Sequence, residues 1–294
     1  MKKNLLFILA LALPLLAFAG KKVTFKMPDV ALPVIPNNVV TLTDFGVKGD
    51  GKTLCTDAFT KAMKKLSSMG GGKLEVPAGI WFTGPIQFES NIELHTAVGA
   101  LIVFTDDYDA YPMIETMFEG NTAKRRMSPL YAYNKENIAI TGHGTFDGNG
   151  QAWRPVKKIK LTDAQWSALT KSGGSVEKNI WYPEIKERAF NRPVLLDFMY
   201  CKKILLKNVT FSNSPAWNVH PCICEDVTIE GVNIKNPWFA QNGDGLDLES
   251  CKRAKIINTT FDVGDDAICI KSGKDAEGRR IGKPCEDVFI SGCT

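Results

Sequence analysis

The residues best placed to do chemistry are acidic and lie close together. Asp244 sits in Asn242-Gly243-Asp244-Gly245-Leu246-Asp247, and Asp265 and Asp266 sit in Gly264-Asp265-Asp266. The runs that follow can be aligned, Leu246-Asp247-Leu248-Glu249-Ser250 against Ile268-Cys269-Ile270-Lys271-Ser272. That alignment sets Asp244 level with Asp266 on stacked strands, which lie about 4.8 Å apart. Like charges this close raise the pKa of at least one of them. A protonated acid beside ionised carboxylates is what glycoside hydrolysis requires. One coil earlier the same alignment places Trp217 beside Asp244, where its ring would stack on a sugar face, with His220 following as a groove residue. Lys271 aligns with Glu249, either as an ion-pair partner or as a contact to an anionic sugar. Spacing alone leaves two further readings open. Asn-Gly and Gly-Asp are common turn formers, and clustered Asp also binds calcium.

What must position these residues is a repeat. Cys201-Lys-Lys-Ile-Leu-Leu-Lys-Asn208, Cys224-Glu-Asp-Val-Thr-Ile-Glu-Gly231, Cys251-Lys-Arg-Ala-Lys-Ile-Ile-Asn258 and Cys285-Glu-Asp-Val-Phe-Ile-Ser-Gly292 share one pattern, and Glu136 to Phe146 is a looser copy. Each alternates apolar and polar residues and then bends at Asn or Gly. Short alternating strands recurring every 20 to 50 residues or so indicate a solenoid, and no helical period fills the gaps. The pattern predicts an all-β right-handed parallel β-helix, with the cysteines as an interior packing column. Ala58 to Ser68 has helical apolar spacing and stops at Gly70-Gly71-Gly72. It reads as a short helix capping the first coil, whose strand edges are otherwise unpaired. Lys73–Pro77, Ile92–Leu94 and Leu101–Phe104 read as the first strands. Gln151 to Arg192, with Trp153, Trp166 and Trp181, breaks the period and reads as a partly helical insertion walling a groove.

The 294 residues are 44% hydrophobic and 23% charged, with a net charge of +4. These are globular proportions, and they give no reason to expect nucleic acid as a partner. Two lysines, an apolar run from Leu5 to Leu16, and Ala17-Phe18-Ala19 before Gly20 have the order of a cleavable export signal over residues 1–19. The run is short for a membrane span. The expected protein is therefore a single domain over residues 20–294, periplasmic or secreted, without stable membrane insertion and monomeric. None of the eight cysteines shows the CxxC spacing of a zinc or redox site.

Asn242-x-Asp244 followed by Gly264-Asp265-Asp266 resembles the first two signature motifs of the family 28 glycoside hydrolases, the polygalacturonases. Thr43-Asp-Phe-Gly46, Gly70-Gly-Gly72 with Val76-Pro-Ala-Gly79, Gly144-Thr-Phe-Asp-Gly148 and Ser214-Pro-x-Trp217 are similar to segments of bacterial members. The resemblance implies a parallel β-helix that hydrolyses α-1,4-galacturonosidic bonds of pectin with inversion. It makes Asp265 the general acid, Asp244 and Asp266 the residues that hold and deprotonate water, and Asn242 a positioning group. It implies no metal or organic cofactor and an anionic plant polysaccharide as partner. The insertion favours exo action.

The family's later Gly-His-Gly and Arg-x-Lys motifs are absent, and Gly142-His143-Gly144 lies too early to replace the first. The expectation is a C-terminally truncated chain that is poorly active or inactive alone. The alternatives are a rhamnogalacturonan hydrolase of the same family, a calcium-dependent pectate lyase, and a non-catalytic polysaccharide-binding β-helix.

Overall fold

The structure, a computed structural model, describes residues 26–294. The export signal read at residues 1–19 lies outside them. Among the described residues no helix is long and apolar enough to cross a membrane.

The chain winds as a right-handed parallel β-helix of three long sheets, with eight, six and seven strands. The eight-stranded sheet runs from Val39–Thr41 to Glu286–Ser291, and successive coils stack in the register read from the cysteine repeat. Lys202 pairs with Glu225, Glu225 with Lys252, and Lys252 with Glu286. The earlier copy joins the same ladder, Glu136 opposite Lys202.

The alternation of each strand decides its core face. Leu74, Leu94, Ile140, Leu206, Ile229 and Ile256 form one continuous interior row of aligned side chains, all fully buried. Removing such side chains from water is the main stabilising term of the coil. Cys201, Cys224 and Cys251 are buried in a second row, and all eight cysteines are free thiols. The bend after each strand is left-handed: Asn208, Gly231, Asn258 and Gly292 have φ of 61°, 63°, 51° and 64°. Asn and Gly are the residues that adopt this conformation at least cost.

The capping helix spans Thr56–Ser68 and buries Ala58, Phe59, Ala62, Met63 and Leu66 against the first coils. The segment from Gln151 to Arg192 holds a helix at Asp163–Lys171, a short helix at Glu187–Asn191 and a small three-stranded sheet. A feature without a clear sequence signal is an antiparallel hairpin, Met113–Phe118 with Asn121–Arg126. It lies over the outer face of the six-stranded sheet. Its Thr116 Oγ1 donates to Asp197 Oδ2 at 2.6 Å, and its Met117 packs with Met199 and Cys222. The tip docks on the last coil, where Lys274 N donates to Gly120 O and Thr122 Oγ1 to Glu277 Oε1.

Candidate active site

Asp244 lies in the turn before strand Leu246–Glu249, and Asp265 and Asp266 lie in the equivalent turn before strand Ile268–Lys271. The two strands pair with Leu246 opposite Ile268, and Gly245 N donates to Asp266 O at 2.9 Å. Asp244 and Asp266 are therefore stacked one coil apart, as the alignment requires. Oxygens of Asp244, Asp265 and Asp266 all lie within 4.8 Å of one another.

The three carboxylates have unequal surroundings. Asp265 and Asp266 are exposed. Asp244 is only 6% exposed, and its Oδ1 has no hydrogen-bond partner among the described residues. Burial, then Asp247 and Asp265, push the Asp244 carboxyl up to about 7, against the opposing pull of Lys271. Asp247, fully buried, is raised by the same desolvation, partly offset by Lys271. Cys269 packs beneath the group, its thiol directed at Asp266 Oδ2 at 3.2 Å. Burial and Asp266 hold that thiol protonated up to about 12.

Three sequence-based assignments need correction. Trp217 is 2% exposed and cannot stack on a sugar. Phe118 of the hairpin covers one face of its ring, with centroids 4.4 Å apart, and Lys271 Nζ lies 3.7 Å from the ring centroid. The guanidinium of Arg125 lies 3.6 Å from the Phe118 centroid. Two cations thus sandwich two stacked rings, each over an electron-rich face.

His220 does not line a groove. It is 0% exposed, between Asp197 (Nδ1 to Oδ1, 3.3 Å) and Glu249 (Nε2 to Oε2, 3.0 Å). Burial opposes its protonation, but Asp197, Cys222 and Glu249 outweigh that and hold the imidazole well above its ordinary range. Lys271 stands opposite Glu249 in the backbone register, yet its ammonium pairs with Asp247 and approaches Asp244 Oδ2 at 4.0 Å. Glu249 is already taken by His220. Burial pushes the lysine down, but Asp247 more than compensates and leaves it raised.

Asn242 accepts a hydrogen bond at its Oδ1 from Arg192 Nη2 at 2.8 Å, which ties the Asp244 turn to the end of the insertion. Lys160 of the insertion donates to Gly264 O at 3.2 Å, on the residue before Asp265. His143 sits in a different corner, between the eight- and seven-stranded sheets, where its N–H donates to Thr96 O.

Asp197 and Asp247 were given no role in the sequence, because a strand residue pointing outward is ordinarily solvated; Glu249 was read as a partner of Lys271, not of His220, and Arg192 only as the end of the insertion. Trp238 was also missed. It is 54% exposed, and its backbone lies so close to Gly264 that a Cβ there would fall on its carbonyl oxygen. It is an accessible aromatic ring beside the Asp265 turn.

Among the described residues three donor clusters have the spacing for a cation; in one, Asp244, Asp247 and Cys269, the thiol keeps its proton and Lys271 already pairs with Asp247. Asp244, Asp265 and Asp266 form a thin oxygen shell against the six to eight ligands calcium takes. His220, Cys222 and Glu249 are sealed from solvent. There the thiol, raised by burial to about 11, and the imidazole both retain protons that a metal would have to displace.

The comparisons with known proteins agree with this architecture. The chain is 33% identical over 259 residues to a probable polygalacturonase of Vitis vinifera, covering 85% of this chain and 48% of the relative. It is 26% identical over 273 residues to an exo-poly-alpha-D-galacturonosidase of Dickeya chrysanthemi, covering 86% and 45%. The crystal structure of a hyperthermoactive exopolygalacturonase from Thermotoga maritima superposes with a TM-score of 0.74 at 38% identity, over 90% of this chain and 63% of that one. The chain spans about half the length of the curated relatives it matches. Residues 73–283 match the model of the glycosyl hydrolases family 28, a stretch that includes both carboxylate turns, and on that match the chain belongs to this family.

Proposed function

We propose that the protein hydrolyses α-1,4-galacturonosidic bonds of pectin or polygalacturonate, acting from chain ends and with inversion. The observation that carries this reading is the stacking of Asp244 on Asp266 with Asp265 beside them, all within 4.8 Å. In the proposed mechanism Asp265, on the exposed side, protonates the leaving glycosidic oxygen. Asp244 and Asp266 hold the attacking water and accept its proton. The assignment of roles follows the family resemblance, as does inversion. Inverting enzymes commonly separate their carboxyl groups by about 6.5–9.5 Å. The closer triad here would hold water between two carboxylates on the same side.

Trp238, not Trp217, is the ring available for sugar stacking. Exo action is supported by the wall that the insertion and the hairpin raise beside Asn242. An anionic polysaccharide suits the lysines and arginines of that wall, and the Met1–Ala19 pattern supports export to where such a polymer occurs.

A lyase reaction needs a neutral basic residue to accept a proton. Lys271 is the basic group at the site, and Asp247 keeps it charged. This weighs against elimination.

The test is product analysis on polygalacturonate with protein from its native source. Reducing ends without an ultraviolet-absorbing unsaturated product are expected, with galacturonate monomer or dimer released early and viscosity falling slowly. The first sugar anomer seen by proton NMR should be β. Unsaturated products would replace this reading with the lyase. An α anomer would replace inversion with retention.

A further inference from the structure

The hairpin of Met113–Phe118 and Asn121–Arg126 acts on the carboxylates through one side chain. Its turn residues, Glu119 and Gly120, have φ of 52° and 75°, the doubly left-handed form that suits a two-residue hairpin loop. The tip sits tightly on the last coil, since a Cβ added to Gly120 would meet Lys274 N at 2.6 Å. Phe118, the last residue before the turn, is thereby fixed over Trp217, its ring within 21° of parallel.

Trp217 is held from its other sides as well. Ser214 Oγ donates to its carbonyl at 2.6 Å, Val194 and Ala216 pack against it, and the His220 ring meets it edge-on at 5.2 Å. The remaining ring face carries the Lys271 ammonium. A lysine stem is flexible and its head strongly hydrated, so an ion pair alone fixes it poorly. A ring face on a rigid coil adds a second point of attachment. From that face the ammonium meets Asp247, with which it pairs, Asp244 Oδ2 at 4.0 Å, and the thiol of Cys269 on its own strand. Asp244 also faces Asp265 and Asp266, and His220 acts on Asp247 from the coil before. Lys271 is the cation that opposes the negative charge gathered around Asp244.

We propose that Phe118 and Trp217 are positioning residues for the reaction: their stack holds the Lys271 ammonium between Asp247 and Asp244, so that a hairpin outside the coil sets how much negative charge the water-handling carboxylates carry. The proposal rests on the hydrolase reading above and adds residues that act through Lys271.

The experiment follows the Asp244 carboxyl by carbon-13 NMR titration of aspartate-labelled protein, with the signal assigned from Asp244→Asn. The pH profile of kcat/KM on polygalacturonate is measured in parallel. The variants are Trp217→Leu, Phe118→Leu, Lys271→Met and the double variant Trp217→Leu with Lys271→Met. Trp217→Phe keeps a ring face and serves as the conservative form. Leucine keeps the cover apolar but releases the ammonium. Trp217→Leu should therefore raise the Asp244 midpoint, and the matching limb of kcat/KM, by about one pH unit, the size expected when an opposite charge leaves contact distance. Phe118→Leu should move both in the same direction by less, and Trp217→Phe should leave them in place. In the Lys271→Met background Trp217→Leu should add nothing, because the two residues act as one unit. An unchanged midpoint in Trp217→Leu and Phe118→Leu overturns the proposal, as does an equal effect of Trp217→Leu with and without Lys271. Should Trp217→Leu fail to fold, Phe118→Leu, at a part-exposed ring, decides the matter. If polygalacturonate is hydrolysed but the midpoint does not move, the positioning role fails and the hydrolase reading stands. If the midpoint moves as expected and the unmodified protein hydrolyses nothing, the stack holds Lys271 as described and the hydrolase reading fails.

Discussion

Asp244 is set apart from its two neighbours by burial, and this has consequences for both rate and stability. Its carboxyl titrates at about 7 from an ordinary value of 3.8, so the folded chain binds a proton there that the unfolded chain has released. Stability from this group is present at low pH and is lost as pH rises through about 7. If Asp244 acts on water, kcat/KM should rise through an apparent pKa near 7, and Asp244→Asn should lose that limb along with most of the turnover. A residual rate with an unchanged pH profile in Asp244→Asn would remove the residue from the mechanism. His220 gives the opposite case, a base whose folded pKa is raised well above 6.5 by Asp197, Cys222 and Glu249 despite burial. Its contribution is complete below about pH 6.5 and disappears as pH rises through the folded value. Thermal melts of His220→Gln and the unmodified protein should therefore differ most at mildly acid pH and converge in alkali. A constant difference across pH would mean that only packing was lost.

The elements that carry these residues depend on close backbone contacts. Gly264 precedes Asp265, and a Cβ there would collide with the Trp238 carbonyl, so the turn lies directly under the segment after strand Asn233–Lys235. Gly264→Ala should cost about 1–3 kcal/mol in denaturant unfolding, as overpacking does elsewhere. It should also lower turnover by moving Asp265 and Trp238 together. Unchanged stability and unchanged rate would show that the turn is not constrained as described. At the bends, Gly231 stacks over Asn208, with an added Cβ only 2.5 Å from the amide oxygen. This explains why Asn and Gly alternate along that column. Such elements were legible in the sequence because a parallel coil stacks like on like. One alignment of Cys201, Cys224, Cys251 and Cys285 fixes both the register and the interior row. The carboxylate triad followed from a second alignment, of Leu246–Ser250 with Ile268–Ser272. The hairpin at Met113–Arg126 did not, since it lies outside the repeat and its effect falls on residues about a hundred positions away. Trp217 and Asp197 look exposed in the sequence until Phe118 stacks on the first and Thr116 bonds to the second. Burial produced by a remote segment has no local signature.

At the scale of the molecule, the coil supplies a rigid base on which two added pieces, the hairpin and the insertion, shape one end of the site. They meet at Arg192, whose carbonyl takes Arg125 of the hairpin and whose guanidinium holds Asn242. The net charge of +4 is small, but buried cations are concentrated in this wall, opposite an exposed acidic turn. The central claim is that bond cleavage belongs to the triad on the last two described coils. It is tested most directly by measuring hydrolysis of polygalacturonate by the native protein and by its Asp265→Asn variant under identical conditions. Loss of the general acid should reduce turnover by about 10²–10⁴-fold with substrate binding retained. Turnover within a few-fold of the unmodified protein would contradict the account.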